Sequence, residues 1–170
     1  MAIYYGDGSN SNTGRVIQVV GSSKTDQYSQ ASGSWTNISG LSCQMTCKES
    51  ASKVLMLCTA MIGGDTSNNF MIRFQTNAFN GGDGQDYGSL LVGDADSSRN
   101  QANASDRTYG NENFHIGHHF SYFFHPNTAN SFTVRTLGWG TGALNRTDYH
   151  GDNAYYPVSA STMTLMEIAQ

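Results

Sequence analysis

The chain has 170 residues, only 13 % of them charged, and a net charge of −4 with no basic run. That balance excludes nucleic-acid binding through phosphate neutralisation, and the 11 % of aromatic residues excludes a disordered segment, since there is apolar surface to offset ordering entropy. No apolar run reaches the roughly 20 residues of a membrane helix, and the opening "MAIYYGDGSNSNTGR" lacks the basic and apolar stretches of a secretory signal, so a soluble protein made in a cytoplasm is expected.

Residues 1–13 read as a polar arm carrying Tyr4 and Tyr5, and 14–170 as one domain. "GRVIQVV" (14–20) predicts a strand, and "DQYSQAS", "SWTNIS" and "LSCQMTC" predict three more, separated at Gly33 and Gly40. "KVLMLCTAM" (53–61) is continuously apolar, the pattern of a strand buried on both faces. In "FMIRFQTNAF" (70–79), Phe70, Ile72 and Phe74 oppose Met71 and Arg73. "NGGDGQDYG" is a loop, "SLLVGD" a short strand, and 95–113 a long polar connection. After the histidine-rich segment, "SFTVRTLG" predicts a strand, "WGTGALNRTDYHGDNAYYP" mostly loop with a short strand near "ALNRT", and "TMTLMEI" a final strand. No amphipathic helix of three turns is present. Eight to ten short strands between turn signals predict an all-β sandwich of jelly-roll type. Val54, Met56, Cys58, Phe120, Tyr122, Val134, Leu165 and Ile168 are its expected core.

The segment "FHIGHHFSYFFH" (114–125) holds four of the five histidines. On a helix His115, His118 and His119 would share one face, a fair metal constellation. The alternation of Phe114, Ile116, His118, Phe120, Tyr122 and Phe124 against their neighbours, with Gly117 among them, predicts a strand instead. His115 and His119 then stand about 13 Å apart, whereas two ligands of one zinc lie within about 4 Å. No metal site is expected.

Three cysteines, Cys43, Cys47 and Cys58, make an odd count that does not suit a disulfide framework. The period of two in "LSCQMTC" makes them buried free thiols. Asp94, Asp96 and Arg99 in "GDADSSR" read as turn residues or an ion pair rather than a cation loop, whose terminal acid is missing. Asn37, Asn103 and Asn145 head glycosylation-type triplets that an Asn- and Ser-rich chain produces by chance. No nucleophile elbow, phosphate loop, dinucleotide fingerprint or zinc-protease motif occurs. No catalytic residue and no cofactor are expected.

Taken in order, "YYGDGSNSNTGRVIQVV", "GLS", "SKVLMLCTA", "VGDADSSR", "NRTD" and "SASTMTLMEI" resemble small virion proteins of tailed bacteriophages, of the marine and cyanobacterial type, described as tail-fibre-like or structural. The resemblance runs over nearly the whole chain. It departs at "SCQMTCKES", where the relatives carry a β-branched strand ending in proline, which bears only on the turn after Cys47. It implies a compact β-sandwich on the exterior of the particle, commonly a homotrimer, in contact with other virion proteins and with a host surface glycan or protein. Three functions follow as expectations. A receptor-binding component would stack sugars on Trp139, Tyr149, Tyr155 and Tyr156 of the late loops, with Tyr4 and Tyr5 in an attachment arm. A capsid decoration protein would cover junctions between shell subunits. A carbohydrate-active enzyme would need paired acids from Asp83, Asp86, Asp94 or Asp96, which nothing in their spacing requires. In a trimer, one of His115, His118 or His119 would stand near the three-fold axis, and protonation would loosen the assembly.

Overall fold

The computed structural model describes residues 3–4, 10–11, 14–64, 69–80, 82, 87–106, 116–145 and 158–170. In the arm, β1 (Ile3–Tyr4) and β2 (Asn10–Ser11) form a two-stranded ladder. The domain strands are β3 (Val16–Lys24), β4 (Tyr28–Met45), β5 (Lys53–Gly64), β6 (Phe70–Thr76), β7 (Gly88–Leu90), β8 (Ala104–Asp106), β9 (Ile116–Phe124), β10 (Phe132–Leu144) and β11 (Ser161–Ile168). A single 3-10 turn spans Ala78–Asn80, and no α-helix occurs among the described residues.

The strands make two antiparallel layers. The first runs β3-β11-β5-β9; the second runs β4-β10-β6, with β7 and β8 sharing the outer edge of β6. They are joined where Ile62–Gly64 of β5 leaves the line of β11 and pairs with Gly142–Leu144 of β10, so all nine strands form one open sheet folded over itself. Successive long strands fall in opposite layers, the jelly-roll arrangement. The corner depends on missing side chains. A Cβ at Gly142 would stand 2.4 Å from the Phe70 Cβ, and Gly140 takes φ +95 with Asn69 O 2.0 Å from where its Cβ would be. These glycines let β10 pass under Phe70, so "WGTGAL" extends the strand that the sequence ended at Gly138.

Two other elements differ from expectation. The three short segments before Met45 are one long strand, β4, whose pairing with β10 slips twice. Four residues of β4 fall opposite one of β10, and the excess lets Ile38 and Leu41 turn into the core beside Gly40 at φ +84. β5 is buried on one face only: Val54, Met56, Cys58, Ala60 and Ile62 point inward, while Leu57 is 37 % exposed. Six of the eight expected core residues are buried; Phe120 and Tyr122 are half-buried at the sandwich rim and pack against the core. The Phe120 ring meets Phe74 edge-on at 4.9 Å, and Phe124 meets Phe132 at 6.1 Å.

Polar side chains close the ends of the sandwich. Asn103 accepts from Phe74 N and donates to Leu90 O and Leu91 O, pinning the long polar connection to β6 and β7. Buried Asn145 donates to Lys24 O and Asp26 O and accepts from Ser161. Two of the three glycosylation-type triplets therefore begin with amides spent inside the fold. Glu167, buried on the inner face of β11, accepts from the backbone N–H groups of Lys48 and Glu49 at 2.8 and 3.0 Å, and so holds the turn after Cys47.

Candidate binding surface

The outer face of the second layer is built by β6 and β10. Since Phe70, Ile72 and Phe74 of β6 point into the core, Met71, Arg73 and Gln75 point out. On β10 the outward set is Thr133, Arg135, Leu137, Trp139 and Thr141. Register puts Arg135 opposite Gln75, Leu137 opposite Arg73 and Trp139 opposite Met71. Arg135 donates to Gln75 Oε1 at 2.9 Å. Each flank of the layer then sends one aromatic ring inward across a neighbouring strand. Trp35 of β4 covers Arg73, the guanidinium carbon lying 4.2 Å from its ring centre, and Tyr87, just before β7, covers Arg135 at 3.6 Å. Leu137, outward-facing yet only 5 % exposed, sits between Asn37 and Arg73 by register.

Stacked guanidinium–aromatic pairs of this kind are each worth about 0.5–1 kcal/mol at exposed sites and more when desolvated. Burial pulls the Arg73 pKa below its ordinary value. The Nε atoms of Arg73 and Arg135 are buried and have no hydrogen-bond partner among the described residues. The surface is an array of Trp35, Trp139, Tyr87 and Met71 with two oriented cations. It offers apolar faces for a ring-shaped ligand and N–H donors for its oxygens.

Of the residues singled out from the sequence, Trp139 lies in this array, half-buried, on a strand rather than in a loop. Tyr4 falls in β1, and its side chain, like Tyr5, Tyr149, Tyr155, Tyr156, His115, Asp83 and Asp86, lies outside the described residues. His118 and His119 face opposite sides of β9. His118 stacks along Phe120 at 6.4 Å, and His119 Nδ1 is 3.0 Å from Thr59 Oγ1 on the outer face. Asp94 and Asp96 are exposed, and Asp96 forms a 3.3 Å ion pair with Arg99 across a tight turn. Among the described residues no group of three His, Cys, Asp or Glu side chains is placed to hold a metal. Cys43, Cys47 and Cys58 are buried free thiols. Burial, with Glu167 adding to it, pushes Cys47 up to about 11, and burial, with Cys43 adding, pushes Cys58 up to about 12.

The outer face of the first layer has a different character. Val19, Met166, Leu55 and Phe123 form one row across all four strands, followed by Gly21, Thr164, Leu57 and Ser121, then Ser23, Thr162, Thr59 and His119. A shallow groove of about 450 Å³ lies over Leu57, Thr59, His119, Ser121, Thr162 and Thr164. No carboxylate appears in these rows.

Trp35, Tyr87, Arg73 and Arg135 were missed by sequence reasoning. One signal was present: "MIRF" and "TVRT" each place an arginine on the outward side of a strand whose other face is apolar. No protein-family model and no curated protein sequence matches the chain.

Proposed function

We propose that the chain is a non-enzymatic surface protein of a bacteriophage virion, of the tail-fibre or receptor-binding type, and that the outer face of the second layer contacts its receptor. The observation that carries this reading is the paired stacking of Trp35 on Arg73 and Tyr87 on Arg135 beside Trp139. Trp, Tyr and Arg are the residues that dominate binding energy at interfaces. Held on adjoining strands, they suit the apolar face of a sugar ring flanked by hydroxyls. The sequence resemblance to tailed-phage virion proteins supports the setting. The jelly roll, an architecture of viral capsid and lectin domains, agrees with it by analogy only.

The test is binding of the purified protein to host cells and to their isolated surface glycans. Trp139→Ala and Arg73→Gln should each weaken binding about tenfold or more, the loss expected of an interface anchor, with the unfolding midpoint little changed. Equal binding by both variants would refute the site. Capsid decoration is the second reading, favoured by the nearly uncharged outer face of the first layer, which suits a shell subunit. Antibody labelling confined to the tail supports the first reading, and labelling across the head supports the second.

A further inference from the structure

We infer that β9 is a self-docking edge, through which two copies of the chain join their first layers into one continuous eight-stranded layer about a two-fold axis at Phe120. One edge of β9 is spent on β5 through nine unbroken register pairs, Ile116 to Phe124, and the other edge has no strand partner among the described residues. Such an edge is normally protected by charge, proline, a bulge or shortness. β3 carries Lys24 and a bulge near Val16, β4 slips twice against its neighbour, and β7 and β8 have three residues each. β9 has none of these: "IGHHFSYFF" contains no Lys, Arg, Asp, Glu or Pro.

The occupant follows from the pattern of exposed side chains along β9. Phe123 is 47 % exposed on the outer face, and at Gly117, on the same face, only the Met61 thioether covers the backbone, its Sδ 3.1 Å from where a Cβ would stand. An antiparallel pair of β9 strands centred on Phe120 sets Phe123 of each copy opposite Gly117 of the other. His119 then opposes Ser121, His118 opposes Tyr122 and Ile116, itself 49 % exposed, opposes Phe124. Every pair joins residues of like direction, so outer side chains meet outer ones. Moving the centre by one residue instead places Phe123 against His119, or carries it past the start of β9. The centred register also continues the apolar row: Val19, Met166, Leu55 and Phe123 of one copy run on to Gly117 and Met61 of the next. Finally, it brings a Tyr122 ring beside His118, whose buried Nε2 has no partner within its own chain among the described residues.

Sedimentation and light scattering over a wide concentration range test the inference. The expected species has twice the 18.4 kDa chain mass, and Phe123→Lys, at an exposed position, should raise the dimer dissociation constant at least tenfold with an unchanged circular dichroism spectrum. Mixing the single variants Gly117→Cys and Phe123→Cys should give a disulfide-linked dimer under oxidation, whereas neither variant alone should cross-link. A monomer throughout, a trimeric mass, a dimer indifferent to Phe123→Lys, or cross-linking within either single-variant sample would overturn the proposal. Receptor binding by the second layer is read separately, so failure of one result leaves the other intact.

Discussion

Asn145 joins several strands of the fold through one buried side chain. It is fully buried at φ +63, where β10 ends, and its amide donates to Lys24 O at 2.7 Å and Asp26 O at 3.0 Å. Its Oδ1 accepts from Ser161 Oγ at 2.6 Å, which itself accepts from Met61 N at 3.0 Å. One side chain thus ties the turn between the layers to β11 and β5. Asn145→Ala removes three hydrogen bonds, each worth roughly 1 kcal/mol net, and places a Cβ-bearing residue without a compensating polar group in the left-handed region, at roughly 1 kcal/mol more. The expected loss is about 4 kcal/mol, a large share of the 5–15 kcal/mol typical of a domain. Asn145→Gly loses the same bonds but tolerates the backbone, and should be about 1 kcal/mol less damaging. Urea unfolding with an unchanged slope measures both. A loss below about 1 kcal/mol for Asn145→Ala, or a glycine variant no better than the alanine one, would refute the reasoning.

Truncating Phe74, fully buried and in edge contact with Phe120, should cost about 3–5 kcal/mol. Leu57→Ala on the open face should cost under about 1 kcal/mol in the monomer, and similar losses at both positions would contradict one-sided burial of β5. Lys24, buried, donates to Asp26 at 2.7 Å, and that hydrogen bond holds the Asp26 carboxyl below its ordinary 3.8. Because the folded value is depressed, the pair's contribution is fully present above 3.8 and is lost as pH falls through the lowered value. Thermal midpoints of Asp26→Asn should therefore fall less steeply with acidification than those of the wild type, and parallel curves would remove the pair from the acid response.

The alternation in "IGHHFSYFF" and "TMTLMEI" made β9 and β11 legible, because a half-buried strand writes its two environments directly into neighbouring residues. "KVLMLC" misled for the opposite reason: Leu55 and Leu57 are apolar on a face that the described residues leave open. Glycines at 140 and 142 read as loop, though with Gly138 they mark where Asn69 and Phe70 press on β10. Trp139 was singled out in the sequence by its type alone. Its companions were not, since the meeting of Trp35 with Arg73 and of Tyr87 with Arg135 depends on register across β4, β10, β6 and β7. No local pattern reports pairings between strands so far apart in sequence.

β11 lies between β3 and β5, although both are synthesised long before it. Until Ser161–Ile168 emerges from the ribosome, "VIQVV" and "KVLMLC" each wait with an unpaired apolar edge. The first layer therefore assembles late, through contacts of long sequence separation, and such topologies fold slowly. During that interval the nascent chain offers its most aggregation-prone segments to any neighbour. Recovery of soluble protein should accordingly respond to translation rate and to chaperones that shield extended apolar segments.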